Sequence, residues 1–345
     1  MKTTGSVLSA ASTVSTASRT PTVSVVVCAY TLDRWEYLQA AIGSLLAQNH
    51  PADEIILVVD HCQALYERAS AAMPEVRVVP STGSCGLSGA RNTGVALAHG
   101  DVVAFLDDDA AAEPDWTCRL LAPYDDPQVI GVGGRVLPQW STRRPLWFPP
   151  EFDWVVGCSY SGLPERTAPV RNFIGANMSF RRTELLAVGG FLDALSRVGI
   201  RGTFGKCDDT ELCLRLAAGR PGVVLLYEPG AQVRHRVPES RTSWSYFRSR
   251  CYVEGLCKAV VAWYRGSGPA LASERAYLLS AVPQALARSL RRPGQPGALR
   301  SAAALSAGVS AAGIGYLAGR VRPLGARTFF RREQAAEEWL GEIRS

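Results

Sequence analysis

The chain has 345 residues, of which 47% are hydrophobic and 20% charged, a balance that excludes a disordered polymer and leaves room for one large domain with additions or two smaller ones. Nine scattered cysteines form no C-x-x-C pair, which argues against a zinc knuckle and predicts reduced thiols in a cytoplasmic protein. The net charge of +6 is uneven: residues 231 to 345 carry 18 basic and 7 acidic side chains, which suits an anionic surface such as phospholipid head groups or phosphorylated acceptors, or else a solvated helical surface.

Residues 1–20 are mostly Ser, Thr and Ala, lack the apolar stretch of a secretory signal, and are expected to form a disordered tail. TVSVVVCAY then predicts a strand, YLQAAIGSLLAQ a helix, EIILVVD a strand ending on Asp60, VRVVP a third strand, GARNTGVALAHG a helix and DVVAFLD a strand. This alternation predicts an α/β fold with a parallel sheet, whose ligands sit beyond the carboxyl ends of the strands. Ala29-Tyr30, Asp60 and the run Asp107, Asp108, Asp109 all fall at that edge.

Past residue 115 the pattern changes. VIGVGGRVLP predicts another strand, whereas residues 138–170 are rich in Pro, Trp and Gly without a clear period and read as a long functional loop. NFIGANMSFRRTELLAVGGF predicts a strand and a helix, GKCDDTELCLRLAAG a helix with acids in its first turn, and VVLLYEPGAQVRH a return to strands. From about residue 240 the chain is expected to be helical. Residues 301–319 carry no charge and are nearly long enough to span a bilayer, but their Ala, Gly and Ser make an interfacial or internal packing helix the favoured expectation.

Carboxylates are hard oxygen ligands, so an Asp-x-Asp at a strand end can hold Mg2+ or Mn2+ and through it a diphosphate. Alone it is equally an acidic turn. The order and spacing of SVVVCAY, ILVVD, GLSGARNTGVALAHGDVVAFLDDDA, FIGANMSFRR and CDDTELCLR followed by a His resemble the inverting nucleotide-sugar glycosyltransferases of family 2, over residues 22 to 260.

The resemblance implies a GT-A fold, a Rossmann-like mixed and mainly parallel sheet flanked by helices. The catalytic domain would span residues 21–240, with a nucleotide-binding half to about 115 and an acceptor half from about 116. A basic helical region, 241–345, would follow. By position, Ala29, Tyr30 and Asp60 would hold base and ribose, although His61 stands where the family usually has a second acid. Arg91 would lie near the diphosphate with Asn92 supporting its loop; the alternative for Arg91 is a surface helix charge. Asp109 would be the direct metal ligand, Asp107 would lie nearer the ribose, and Asp108 is ambiguous between donor contact and solvated turn.

Asp209 aligns with the catalytic base of the family, and the positive end of a helix dipole would favour its ionised form. A helix-capping cluster accounts for Asp208 and Glu211 better than for Asp209. His235 falls where related enzymes bring a His to metal or diphosphate, or is a structural histidine. The implied partners are a nucleotide-sugar donor, UDP foremost, and a glycan, lipid-linked or small-molecule acceptor, with no nucleic acid. Peripheral contact of the basic C-terminal helices with the cytoplasmic face of a membrane is a further expectation.

Other chemistries lack their signatures. GIRGTFGKC has the wrong glycine spacing for a P-loop, no G-x-G-x-x-G opens the first helix, and neither H-E-x-x-H nor G-x-S-x-G occurs. A non-catalytic nucleotide-sugar-binding scaffold on the same fold is the remaining alternative, and the presence of Asp107, Asp109 and Asp209 together argues against it.

Overall fold

The computed structural model describes residues 20–193, 199–200, 203–204, 207–266, 268, 271–291 and 293–321. The tail expected over residues 1–20 lies outside them except for its last residue. The first half is built from β1 (Val23–Ala29), α1 (Trp35–Leu46), β2 (Glu54–Val59), α2 (Gln63–Ala72), β3 (Arg77–Pro80), α3 (Leu87–Leu97) and β4 (Val102–Asp107). Strands β3, β2, β1 and β4 are adjacent in that order and all parallel. The run VSVVV forms a strand because both of its faces are covered: Val23, Val25 and Val27 join one buried cluster and Val26 another. Where β1 lies between β2 and β4 the strand order reverses, and such a switch point opens a crevice beyond the carboxyl ends.

The second half supplies β5 (Ala110–Ala112), α4 (Trp116–Leu121), β6 (Val129–Trp140), β7 (Ala168–Pro169), β8 (Asn177–Arg181), α5 (Arg182–Ala187), the short pair β9 (Gly199–Ile200) and β10 (Thr203–Phe204), α6 (Asp208–Gly219) and β11 (Val224–Val237). Strand β8 runs antiparallel between β4 and β6, making the sheet mixed. Strand β11 lies parallel to β6 and pairs antiparallel with β5. The expectation of separate strands over residues 223–235 is corrected: one strand runs through, with a register shift between Glu228 and Gln232 where Pro229 cannot donate to the ladder.

The stretch 138–170 is also more ordered than its composition predicts. Strand β6 reaches Trp140, a 3-10 helix occupies Pro150–Val156, and β7 closes the segment. Its aromatic rings hold it down, with Trp147, Phe148 and Phe152 each packing on Phe247 at centroid distances of 5.3 to 5.4 Å.

Phe247 belongs to α7 (Trp244–Arg265), the first of the C-terminal helices, followed by α8 (Ala272–Leu279), α9 (Ala281–Arg291) and α10 (Ala298–Val321). Helix α10 lies against α7 through glycines: a Cβ on Gly255 would stand 2.0 Å from the Ala312 carbonyl oxygen, and one on Gly315 2.0 Å from that of Tyr252. One face of the uncharged stretch 301–319 therefore packs against α7, while Ile314 and Leu317 remain exposed. By length and composition α10 is also able to cross a membrane, with a mean hydropathy of 1.4 over its most apolar window.

Candidate active site

A cavity of about 1070 Å³ opens at the switch point and runs on beneath the C-terminal helices. Ala29, Tyr30, Asp60, Arg91, Asp107, Asp108, Asp209 and His235 line it. Asp109 is not among the lining residues, and neither is Asn92, the residue expected to support the loop of Arg91. The Asn92 amide donates to the Phe191 carbonyl at 2.8 Å and accepts from the Phe191 amide at 2.7 Å, so both of its ends are spent tying α3 to the chain beyond α5.

Asp107 ends β4, and Asp108 and Asp109 form the turn into β5. Because β5 pairs with β11, Ala110 stands opposite His235 in the ladder, and the register alone delivers the imidazole to the turn. His235 Nε2 lies 3.2 Å from Asp109 Oδ1. Oxygen and nitrogen atoms of Asp107, Asp109 and His235 all fall within 4.8 Å of one another, a spacing that a metal ion could bridge. Burial opposes ionisation of Asp109, but the hydrogen bond and charge of His235, with Arg34, overcome it and hold the carboxyl below the usual range.

Asp108 is buried, which removes the solvated turn from its two alternatives. Its Oδ1 accepts a 2.8 Å bond from Arg34 Nη1, which also lies 3.1 Å from Asp109 Oδ2, while Asp108 Oδ2 has no hydrogen-bond partner among the described residues. Burial first, then the Asp109 charge, pushes the Asp108 carboxyl up to about 6 against the pull of Arg34. Arg34, at the start of α1, also stacks over Tyr30 at 5.3 Å. Sequence reasoning missed it; the only available signal was a basic residue just after the first strand end.

Arg91 is buried, not a surface charge. Its guanidinium donates to Asp208 Oδ2 at 3.0 Å and to the Gly175 carbonyl at 2.9 Å, and lies 3.6 Å from Asp107 Oδ1. Desolvation works against its charge, and the surrounding Asp208, Asp107 and Asp209 restore it. Gly175 is a second missed residue. Its N–H donates to Asp209 Oδ2 at 3.1 Å, and a Cβ there would stand 2.9 Å from Arg91 Nη2, so glycine leaves room for the N–H and C=O of one residue to serve both side chains.

Asp209 sits in the first turn of α6, where its Oδ1 accepts from the Thr210 amide at 2.6 Å. Burial, then the adjacent Asp208 carboxylate, pushes its carboxyl up to about 6, with Arg91, the Thr210 N–H and Lys258 pulling the other way. Asp60 accepts from the Gly86 amide at 2.9 Å and lies 2.7 Å from Nδ1 of His61, a non-glycine residue held at a φ of 51°. The arrangement offers a cation-binding corner, two guanidinium groups beside it, that of Arg91 buried and that of Arg34 partly exposed, and in Asp209 a carboxyl raised well above the ordinary carboxylate range.

Residues 24–186 match the model of the family described as glycosyl transferase family 2. The glucosyl-dolichyl phosphate glucuronosyltransferase of Haloferax volcanii is 36% identical over 243 residues, 69% of this chain and 77% of that protein. The succinoglycan biosynthesis protein ExoM of Rhizobium meliloti is 28% identical over 68% of this chain and 72% of its own. Among solved structures, the mannosyltransferase PcManGT of Pyrobaculum calidifontis, in complex with GDP-Man and Mn2+, superposes with a TM-score of 0.52 at 17% identity, covering 87% of this chain and 88% of its own. The curled mixed sheet with its flanking helices is accordingly the GT-A fold. Shared sequence over three quarters of a curated glycosyltransferase, on that fold, makes the chain a member of glycosyl transferase family 2, an enzyme that transfers sugar from a nucleotide-sugar donor.

Proposed function

We propose that the enzyme is an inverting transferase that uses Mg2+ or Mn2+ to bind a nucleoside diphosphate sugar, UDP foremost, and delivers the sugar to an acceptor hydroxyl. The observation that carries this reading is the cavity that Asp107, His235 and the Asp209 carboxylate line together, with Asp109 completing the donor set of Asp107 and His235. Two carboxylates and an imidazole suit a divalent ion, and the unpartnered Asp108 Oδ2 leaves a further buried oxygen in want of a cation or donor. When bound, such an ion neutralises the diphosphate and stabilises charge developing on the leaving group. Mn2+ accompanies the nucleotide sugar in the solved mannosyltransferase, which supports the same use here.

The remaining steps belong to the protein. Ala29, Tyr30 and Asp60 receive the nucleoside, and Arg91 and Arg34 supply fixed positive charge beside the diphosphate without reorganising during the reaction. Asp209 takes the proton of the acceptor hydroxyl as it attacks the anomeric carbon. A single displacement inverts that carbon, and no enzyme nucleophile is needed. The Haloferax relative is named for an acceptor on dolichyl phosphate; with the basic C-terminal third, this supports a lipid-linked or cell-envelope acceptor met at the cytoplasmic face of a membrane.

The test is Asp209→Asn. Transfer should fall by at least about 100-fold, while UDP binding in the presence of Mn2+, measured by calorimetry, stays within a factor of two or so. Full transfer activity in that variant would sink the assignment of the base.

A further inference from the structure

Among the described residues a second group of metal-ligating side chains stands apart from the corner at the end of β4. Ligand atoms of Asp60, His61 and Cys85 all lie within 4.8 Å of one another. Strand β1 runs between the two groups, since it pairs with β2, which ends just before Asp60, and with β4, which ends on Asp107.

Two local features of the backbone assemble this group. Consecutive side chains of an extended chain point to opposite faces. The φ of 51° at His61 breaks that alternation, and its Nδ1 comes within 2.7 Å of Asp60 Oδ1. The Gly86 N–H donates to Asp60 Oδ2 at 2.9 Å, which ties the loop after β3 to the same carboxylate and brings in the thiol of the preceding residue, Cys85. The cavity reaches this group, because Asp60, Cys85 and Gly86 all line it.

The donor set differs in kind from that of Asp107, Asp109 and His235. A thiolate with an imidazole selects Zn2+ and similar ions over the Mg2+ and Mn2+ that oxygen ligands suit. Three protein ligands leave a fourth tetrahedral position open. His61 and Cys85 are exposed, so an ion reaches them from solvent without any change of fold. Cys118 is exposed as well, but among the described residues it belongs to no such group.

We infer that Asp60, His61 and Cys85 form a site for Zn2+ or an ion of its class, and that filling this site shuts the nucleoside out by engaging Asp60. The site rests on the three side chains; the exclusion rests also on the proposed place of the nucleoside at Asp60. Ions of two classes then act oppositely on donor binding, Mg2+ or Mn2+ supporting it and Zn2+ opposing it.

The full chain, kept reduced with a phosphine and free of nucleotide, is titrated with Co2+ as the spectroscopic stand-in for Zn2+. The wild type should develop a thiolate-to-cobalt charge-transfer band in the near ultraviolet, which Zn2+ abolishes and Mg2+ in large excess does not. Cys118→Ser should keep the band and Cys85→Ser should lose it, with unchanged thermal unfolding reporting that both are folded. His61→Asn keeps a residue that tolerates positive φ. It should weaken Zn2+ binding at least about tenfold, since even outer partners of a metal site contribute about 10–100-fold. Calorimetry with UDP in excess Mn2+ reads the exclusion. Zn2+ at about ten times its half-saturating concentration should weaken UDP binding about tenfold in the wild type and by no more than about twofold in Cys85→Ser. Absence of a thiolate band, or a band that survives in Cys85→Ser, overturns the site. UDP affinity that Zn2+ leaves unchanged, or lowers equally in the wild type and Cys85→Ser, overturns the exclusion. UDP that fails to bind with Mn2+ before any Zn2+ is added counts against the donor reading instead, and the Co2+ spectrum still decides the site.

Discussion

As the proposed base, Asp209 faces opposing demands, because a base must be ionised to accept a proton while burial favours its neutral form. With its carboxyl pushed up to about 6, kcat/KM should rise with pH through a limb centred near 6 and level off above it. Replacing Asp208 by Asn removes the neighbouring negative charge and releases Arg91 from its ion pair, and both changes favour ionised Asp209. The limb should therefore move to lower pH in the Asp208→Asn variant; a limb that stays near 6 would assign it to another group. Arg34→Met leaves Asp108 and Asp109 without their shared guanidinium. Since that side chain is 26% exposed, the loss should be about 1–3 kcal/mol in urea unfolding, with Arg34→Lys restoring only part because an ammonium lacks the planar fork. The acidic residues at strand ends were legible from sequence because a polar run closing an apolar one is a local signal. The Arg34–Asp108 pair was not: 74 residues separate its members, and only the folded sheet edge brings them together.

At the scale of elements, local periodicity located β1 to β4, of which β1, β2 and β4 are buried along nearly their whole length, and missed the three-residue β5. Helix α10 was harder, since a sequence of Ala, Gly and Ser presents no distinct apolar face from which to infer its neighbour. Its partner is set by glycines, and this gives the packing a sharp test. Gly255→Leu drives a side chain into the Ala312 carbonyl and should cost about 1–3 kcal/mol in thermal or urea unfolding, by overpacking. Gly313, on the same helix, has nothing within 4 Å of an added Cβ. Gly313→Ala should therefore be neutral or stabilising by up to about 1 kcal/mol, because alanine is the better helix former. Equal destabilisation by the two substitutions would mean that helix propensity, and not the close approach to α7, governs this region.

At the scale of the molecule, one cavity is walled both by α7, α8 and α10 and by Asp107 and Asp108 at the end of β4. The charge asymmetry along the sequence marks a change of surface. That surface pairs two features. Helix α10 exposes Ile314, Leu317 and Val321, and α8 exposes Leu279, with Arg291, Arg300 and Arg320 also exposed on these C-terminal helices. Apolar groups beside guanidinium groups suit a membrane interface, where each basic side chain near an anionic surface contributes about 1 kcal/mol. The full-length protein should therefore sediment with phosphatidylserine-containing vesicles at low salt and less with phosphatidylcholine alone, and sodium chloride at several hundred millimolar should release much of it. The double variant R300E/R320E should weaken binding to anionic vesicles by at least about tenfold without altering the affinity for UDP and Mn2+. Protein that stays in the supernatant with anionic vesicles at low salt would remove the membrane from the reading, leaving the basic third to the acceptor alone.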